Sequence, residues 1–277
     1  MGENEKIPKW RLIPFSTADG YRNMAIDEIL LEEVIQGKSP NTLRFYKWEP
    51  TTATIGKHQS LSAEIDMDFA NSNGVQVVRR ITGGGAVLHD SDKEITYSII
   101  VRLSDIPQNI NSPRTYDLKV PQRYIAVLES LAQGLEKLGY SIDIGKIHCP
   151  VLLSQGKKLS GNAQIIRKDV LLQHGTILLD VDPEFMYSVL KAPVGVSHSK
   201  MIQSVRSKVT GLNSINSKEN STKSIQESAL LGAFQKSFEQ IFKMKLEEKS
   251  LTSEEINAVS RLVAKKYATL EWLRKFP

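Results

Sequence analysis

Two segments of this sequence hold most of the residues that could perform chemistry. The first runs from Arg79 to Asp90 and reads RRITGGGAVLHD. Three consecutive glycines let backbone N–H groups approach a ligand closely, and the two arginines suit a phosphate or a carboxylate. The segment lies between two predicted strands, so it matches neither the Rossmann nor the P-loop pattern. The alternative is a glycine-rich turn with solvated arginines.

The second segment is GKKLSGNAQ, residues 156–164. Lys158 alternates with apolar positions, which favours a side chain that points into a cleft; the alternative is a surface lysine beside a turn. Cys149 precedes Lys158 by nine positions. A neighbouring ammonium favours the thiolate, which is the nucleophilic form of a cysteine. A lone cysteine is otherwise a small buried hydrophobe, and the spacing leaves both interpretations open.

The histidines predict no metal site. They lie at positions 58, 89, 148, 174 and 198. None of them forms a pair with helical metal-binding spacing, and a single cysteine cannot build a zinc cluster. His148 and Cys149 are adjacent, so on a strand they would point to opposite faces, which argues against a simple Cys–His pair.

The composition indicates a soluble globular protein. The chain has 277 residues, of which 40% are hydrophobic and 24% charged, with a formal net charge of +5. One cysteine argues against a disulfide-rich module, and no apolar run approaches the roughly 18–20 residues of a membrane span. The polar start, MGENEKIPKW, carries no apolar signal core, so we expect a cytoplasmic protein without a membrane partner. The positive charge suits an acidic macromolecule, and no nucleic-acid-binding signature accompanies it, so we expect no nucleic acid partner.

Helical and extended patterns alternate along the chain. Apolar spacing predicts helices over Asn23–Val34 and Tyr124–Leu138, the second ended by Gly139. The predicted strands are Thr42–Tyr46, Thr51–Gly56, Val75–Val78, Ala86–His89, Glu94–Val101, Leu159–Ile166 and Val170–Leu179. Short polar connections predict hairpins at 90–93 and at 167–169. Residues 103–121 are predicted to form a long binding loop.

The domain organisation follows from a composition break. Residues 213–224, NSINSKENSTKS, read as a polar linker between a domain at 1–212 and a helical C-terminal segment at 225–277. Helices are predicted there over Ile225–Met244 and from Thr252, where T-S-E-E forms a capping box. The fold class predicted is α+β, with a mixed, mostly antiparallel sheet flanked by helices.

Taken together, these segments resemble the lipoate-protein ligases and the related octanoyltransferases, which share a catalytic domain with the biotin ligases. The similar segments are RRITGGGAVLHD, GKKLSGNAQ, QHGTILLDVD (Gln173–Asp182) and, less specifically, NMAIDE and LRFYKWEP. The resemblance covers Trp10 to about Leu212 and implies a biotin/lipoate ligase-like catalytic domain with a small helical tail.

The resemblance implies an enzyme that delivers an octanoyl or lipoyl group to one lysine of a carrier, either a lipoyl domain or a glycine-cleavage H-like protein. The acyl donor would be an acyl carrier protein or free lipoate. The glycine-rich hairpin would shape the acyl tunnel, and we expect the ligand, not the backbone angle, to exclude a side chain at Gly84. The catalytic residues implied are Cys149 and Lys158. The substrate-binding residues implied are Arg79, Arg80, Thr82, Gly83, Gly84, Gly85, Ala86, His89, Ser160, Gly161, Asn162, Ala163, Gln164, His174 and Gly175.

Two branches of the family differ in chemistry. The ligases use ATP and Mg²⁺, and their pattern carries an Asn-Asp pair where this chain has Pro150 and Val151. One group of octanoyltransferases instead uses a cysteine that precedes the motif lysine, as Cys149 does here, and needs no cofactor. Residues 204–209 (SVRSKV) resemble the adenylate-binding loop of the ligases and point the other way. We expect an octanoyltransferase acting through an acyl-thioester; the alternatives are an ATP-dependent ligase and a non-catalytic module that binds an acylated carrier.

Overall fold

The computed structural model describes residues 7–108, 110, 112–114, 121–147, 149–215 and 225–276. Its strands are β1 (Lys9–Ala18), β2 (Thr42–Trp48), β3 (Thr52–Ile55), β4 (Gln76–Arg79), β5 (Val87–His89), β6 (Glu94–Arg102), β7 (Asp143–Ile147), β8 (Cys149–Ser154), β9 (Lys157–Lys158), β10 (Ser160–Arg167), β11 (Val170–Leu178) and β12 (Lys245–Glu248). Its α-helices are α1 (Gly20–Ile35), α2 (Leu61–Glu64), α3 (Met67–Ser72), α4 (Gln122–Glu136), α5 (Pro183–Val189), α6 (His198–Lys208), α7 (Glu227–Phe242), α8 (Ser253–Leu262) and α9 (Leu270–Leu273).

A six-stranded sheet with the order β10-β11-β6-β2-β1-β12 forms the centre of the molecule. The pairs from β10 to β2 are antiparallel, whereas β1 runs parallel to both of its neighbours. Two smaller sheets, β4-β3-β5 and β7-β8-β9, lie beside it. The predicted fold class, a mixed and mostly antiparallel sheet flanked by helices, is confirmed.

Both faces of the central sheet are covered, because alternate residues of its strands point to opposite sides. Phe45 and Ile99 pack in one core cluster with α4 and α7. Tyr46 and Ile100 pack in the other with α1 and α8. The central sheet therefore lies between two helical layers.

Local signals in the sequence account for several boundaries. Asp19 caps α1 by accepting a hydrogen bond from the Arg22 N–H. Helix α4 gives way to Gly139, whose φ of +87° suits glycine. Between β10 and β11, Lys168 and Asp169 have φ values of +44° and +59°, as a two-residue hairpin turn requires. The predicted hairpin at 167–169 is confirmed.

The C-terminal segment contains both predicted helices and also joins the central sheet. Thr252 and Glu255 form the capping box expected at the start of α8. Strand β12, which sequence analysis missed, pairs in parallel with β1, so this segment adds an edge strand as well as helices. Of the predicted linker, residues 216–224 lie outside the described residues, so the boundaries at 212 and 224 stay a prediction.

Two local predictions were wrong. The predicted hairpin at 90–93 does not form, because β5 pairs with β3 in a small sheet whereas β6 lies between β11 and β2. The glycine segment, residues 80–86 between β4 and β5, is likewise not a hairpin, because β3 lies between those two strands. Of the predicted loop at 103–121, Leu103–Asp105 forms a short 3₁₀ helix, and residues 109, 111 and 115–120 lie outside the described residues.

Among the described helices, none has the length and apolar character needed to cross a membrane.

Candidate active site

A cavity of about 470 Å³ brings most of the predicted site residues together. Its lining combines the central sheet, the start of β8, the end of β9 and the glycine segment. The predicted residues that line it are Arg80, Gly84, Gly85, Ala86, His89, Cys149, Lys158, Gly161, Asn162, Ala163, His174 and Gly175. Cys149 and Lys158, which the sequence could not place in contact, therefore face a common space.

The strands explain how a cysteine and a lysine reach this cavity. Cys149 is the first residue of β8 and is half-buried. Lys158 ends β9, which pairs with β8 through Leu153. Within the described part of the chain, no hydrogen bond or ion pair engages the Lys158 ammonium. This cation is thus available to a substrate carbonyl in the cavity.

Arg80 shapes the glycine segment from within. Its Nη2 donates hydrogen bonds of 2.7 Å to the carbonyls of Gly83 and Gly85, and its Nη1 donates to Thr54 Oγ1 at 3.0 Å. Burial lowers the pKa of Arg80 to about 10, which leaves it charged at neutral pH. The guanidinium therefore holds this segment in a fixed curve along the cavity.

The expectation that the ligand, and not the backbone angle, excludes a side chain at Gly84 was wrong. Its φ is +93°, a region that side chains other than glycine rarely adopt. A Cβ at Gly84 would also lie 3.0 Å from Arg80 Nη2. The backbone itself therefore favours glycine at this position. Its neighbours Gly83 and Gly85 have open space at the Cβ position and no positive φ.

Arg79 does not line the cavity, contrary to the prediction that it binds substrate. Its guanidinium is fully buried and donates to backbone carbonyls, including those of Gly56 (3.0 Å), Gln59 (2.6 Å) and Leu273 (2.7 Å). The indole N–H of Trp272 donates back to the Arg79 carbonyl at 2.8 Å. Because these carbonyls occupy its donors, Arg79 fastens the C-terminal residues to the strand that precedes the glycine segment.

Four further predicted residues do not line the cavity: Thr82, Gly83, Ser160 and Gln164. The Thr82 hydroxyl is 2.7 Å from His174 Nε2. Ser160 Oγ accepts a hydrogen bond of 2.8 Å from the Leu152 N–H. Thr82 thus contacts His174, which lines the cavity, and Ser160 holds β8, the strand that begins at Cys149.

A buried carboxylate that sequence analysis missed organises the cavity floor. Asp27 accepts hydrogen bonds from His174 Nδ1 (3.0 Å), Ser98 Oγ (2.8 Å) and Arg44 Nη1 (3.1 Å). Burial alone would raise the pKa of Asp27, but these hydrogen bonds and the Arg44 charge hold it below its ordinary value. For His174, burial outweighs the pull of Asp27 and lowers the pKa. The pair is therefore an aspartate next to a neutral imidazole.

Several other residues line the cavity, and most of them, though not Thr54 and Thr96, lie in the segments that carried the resemblance. The lining residues not predicted are Met24, Tyr46, Trp48, Thr54, Val87, Thr96 and Thr176. Met24 lies in NMAIDE, and Tyr46 and Trp48 lie in LRFYKWEP, so those two segments were the available signal. Trp48 stacks on His89 with ring centroids 4.1 Å apart, and His89 Nδ1 is 2.7 Å from Glu94 Oε1.

Two features bear on the ligase alternative. Residues 204–208 form the last turns of α6, so the segment that resembles an adenylate-binding loop is helical here up to Val209. Val151, at the position of the ligase aspartate, is fully buried.

The cavity places a cysteine and an available lysine beside a glycine-rich wall on a mixed sheet, an arrangement that suits acyl transfer. The chain belongs to the family of lipoyl protein ligase A/B catalytic domains, whose model matches residues 19–235. Curated relatives include octanoyltransferase LipM of Brevibacillus brevis, which is 36% identical with 96% of this chain and 99% of the relative covered. Octanoyltransferase LipM of Moorella thermoacetica is 32% identical with 96% and 98% covered.

Solved structures share the fold over nearly the full chain. A chain from an archaeal lipoylation system, a bipartite lipoate protein ligase and its E2 lipoyl domain from Thermoplasma acidophilum, superposes with a TM-score of 0.80 at 24% identity and 98% coverage of both chains. Lipoate-protein ligase A bound with ATP superposes with a TM-score of 0.76 at 24% identity, with 96% and 98% covered. The family, the fold class and the enzyme class expected from the motifs are confirmed.

Proposed function

We propose that this enzyme transfers an octanoyl group from a carrier-bound thioester to one lysine of a lipoyl carrier domain, through an acyl-thioester on Cys149. The observation that carries the proposal is the shared cavity of Cys149 and Lys158. The names of the curated relatives, octanoyltransferases at 32–36% identity over nearly the whole chain, support the choice of reaction.

The first step is a thioester exchange. The Cys149 thiolate attacks the carbonyl carbon of the donor, its C–S bond forms, and the bond to the donor sulfur breaks to release the donor thiolate. The Lys158 ammonium lies on the same cavity wall and stabilises the negative charge that develops on the carbonyl oxygen. A thioester replaces a thioester, so this step needs no other source of energy.

The second step forms the amide. The neutral amine of the carrier lysine attacks the acyl carbon, the bond to Cys149 Sγ breaks, and the cysteine leaves as a thiolate while the amine loses a proton. The small residues Gly161 and Ala163 line the cavity, so backbone can approach the acyl group closely. Conversion of a thioester to an amide is downhill, which makes transfer to the carrier effectively irreversible.

We propose that the reaction requires no cofactor, because the donor arrives already activated. The buried apolar Val151 offers no carboxylate where the ligases carry one. The ligase alternative rests on residues 204–209 and on the ATP-bound ligase with the same fold. For partners, we propose an acyl carrier protein as donor and a lipoyl domain or H-like protein as acceptor.

Mass spectrometry after mixing with octanoyl-acyl carrier protein tests this reaction. We expect one octanoyl group on Cys149, its loss when an acceptor domain is added, and no adduct on Cys149→Ser. In a parallel reaction with free octanoate and ATP, the release of pyrophosphate is measured. Pyrophosphate release without an adduct on Cys149 would replace the transferase with the ligase.

A further inference from the structure

We propose that Asn162 is a positioning residue that holds the Cys149–Pro150 end of β8, and that Tyr97 and Gln173 fix the orientation of its amide. The inference rests on the proposed role of Cys149 as nucleophile. None of the three side chains needs to touch the acyl group for this role. Their effect reaches the reaction through the peptide next to Cys149.

One backbone hydrogen bond and two side chains of β10 connect β8 to the chain that follows β9. The Leu159 N–H donates to the Leu152 carbonyl at 2.9 Å, and the Leu152 N–H donates to Ser160 Oγ at 2.8 Å. Two residues further along each strand, Asn162 Nδ2 donates to the Pro150 carbonyl at 2.8 Å. Proline has no N–H, so its carbonyl is the one backbone hydrogen-bonding group at this position. Asn162 thus anchors this end of β8 on the side opposite β7, which pairs with Cys149 and Pro150 through Ile147 and Lys146.

A chain of hydrogen bonds sets the direction in which the Asn162 amide points. Arg123 Nε donates to Gln164 Oε1 at 3.0 Å, and Gln164 Nε2 donates to Gln173 Oε1 at 2.5 Å. Gln173 Nε2 donates to the Tyr97 hydroxyl at 2.6 Å, and that hydroxyl donates to Asn162 Oδ1 at 2.7 Å. A guanidinium can only donate, so each later group is held in one orientation. The result is that Asn162 presents its N–H, not its oxygen, to β8.

The middle of this chain is closed to water and closely packed. Tyr97 and Gln173 are fully buried. Burial raises the pKa of Tyr97 and outweighs the hydrogen bond from Gln173, which lowers it, so the hydroxyl stays protonated and can donate. Cys149 is close enough to raise this pKa further. The absence of a side chain at Gly175 provides the space for this packing, because a Cβ there would lie 2.9 Å from Tyr97 Cε1 and still closer to Asn162 Oδ1. Because buried groups have no water to replace a lost partner, removing one link leaves its neighbours free to turn.

Tyr97→Phe tests the inference because it removes one oxygen from the chain. We expect kcat for octanoyl transfer to fall about tenfold or more while the donor KM changes less than about twofold, since a misplaced nucleophile slows the chemical step. Tyr267→Phe is the matched control: Tyr267 is also a buried tyrosine, and its hydroxyl donates to Glu28 at 2.7 Å, away from the cavity. Both variants lose a buried hydrogen bond and a lower Tm is expected for both, but only Tyr97→Phe should lose kcat.

Arg123→Met covers the case in which Tyr97→Phe fails to fold. Arg123 is half-buried on α4, so its removal perturbs the core little and takes away the cation that sets the direction. We expect a fall in kcat in the same sense. Wild-type kcat in whichever of the two variants folds would overturn the positioning role. Cys149→Ser in the same assay keeps the outcomes separate, because full transfer by that variant would instead overturn the proposed function.

Discussion

His174 and Asp27 are joined by a buried hydrogen bond of 3.0 Å between Nδ1 and Oδ2. The bond links β11 to α1 beneath the cavity. Because Asp27 accepts at Nδ1, the Thr82 hydroxyl, 2.7 Å away, donates to the other ring nitrogen. The imidazole is therefore held neutral, with its proton on Nδ1, and ties the glycine segment to the sheet.

We expect this pair to make the protein sensitive to acid. The pKa of His174 lies below its ordinary value of 6.5 because the ring is buried. The unfolded chain then binds this proton more readily than the folded one, so stability is complete above pH 6.5 and is lost as the pH falls toward the lower folded pKa. Asp27 adds a loss with the same sign below its ordinary value of 3.8. The Tm should fall between pH 7.5 and pH 5.

His174→Gln checks the assignment. The variant should melt earlier at pH 7.5, because Asp27 and Thr82 lose a partner, but its Tm should fall less steeply between pH 7.5 and pH 5. His198→Gln is the control, since His198 is exposed and its removal should leave the slope unchanged. Equal slopes in the wild type and His174→Gln would show that another group carries the acid sensitivity.

The elements predicted correctly are those whose signals lie within the element itself. The elements that were missed depend on pairing between strands far apart in the sequence. Helix α4 and the β10–β11 hairpin were predicted because apolar spacing, Gly139 and a two-residue turn lie within each element. Strand β12 reads KLEE and has little apolar pattern of its own. It forms because β1, more than 200 positions earlier, offers an edge. The change of sheet at 90–93 is non-local in the same way.

Sequence motifs identified the candidate site residues but not the role that each side chain has in the fold. Cys149, Lys158 and the glycine segment stand out by residue type, but the roles of Arg79 and Arg80 cannot be told apart from two adjacent letters. One guanidinium binds the chain's own carbonyls outside the cavity and the other lines it. Asp27 was missed because one acidic residue on a helix is usually solvated, and only the fold shows that Arg44 and His174 meet it.

Lys158 and Lys157 make a matched pair of adjacent lysines. Lys158 lines the cavity, whereas Lys157 is exposed and donates a 3.4 Å hydrogen bond to the Arg206 carbonyl. Removing a charge that stabilises the oxyanion costs about 10²–10³ in kcat, so Lys158→Ala should lose transfer on that scale. Lys157→Ala should stay within about twofold of wild type, because an exposed lysine contributes little. Equal losses of kcat in the two variants would show that Lys158 has no special role in transfer compared with Lys157.

The three glycines should separate backbone strain from contact with the ligand. Gly84→Ala forces a side chain onto a φ of +93° and should cost about 1–3 kcal/mol. At about 2–4 °C of Tm per kcal/mol for a chain of this size, that is a clear shift in a melting curve. Gly85→Ala has no such strain and lines the cavity, so its Tm should stay near wild type while the donor KM rises.

Gly83→Ala is the control for both variants, because Gly83 has open space around its Cβ position and does not line the cavity. Its Tm and its donor KM should both match the wild type. If Gly84→Ala melts like the wild type, the backbone argument fails. If Gly85→Ala transfers octanoyl groups with an unchanged KM, this wall does not contact the acyl group or its thioester.

A basic stretch of the chain lies next to β9, one of the strands that line the cavity. Residues 185–215 carry four basic residues and no carboxylate, against a net charge of +5 for the whole chain. This stretch contacts the backbone of β9, since the Thr210 N–H donates to the Lys158 carbonyl at 2.9 Å. Such a surface suits an acidic carrier domain, which would be drawn toward the cavity from a distance.

Neutralising Lys200 and Lys208, both exposed on α6, should therefore slow association more than chemistry. For the Lys200→Gln/Lys208→Gln variant we expect kcat/KM for an acidic carrier to fall about threefold to tenfold at low salt, with kcat unchanged. Its dependence on salt should also flatten, because salt screens exposed charges (the Debye length is about 10 Å at 0.1 M) and the variant has two fewer charges to screen. Lys236→Gln/Lys265→Gln removes the same charge from α7 and from the turn after α8, and it controls for net charge. Equal losses in the two double variants would show that total charge, not the α6 surface, recruits the carrier.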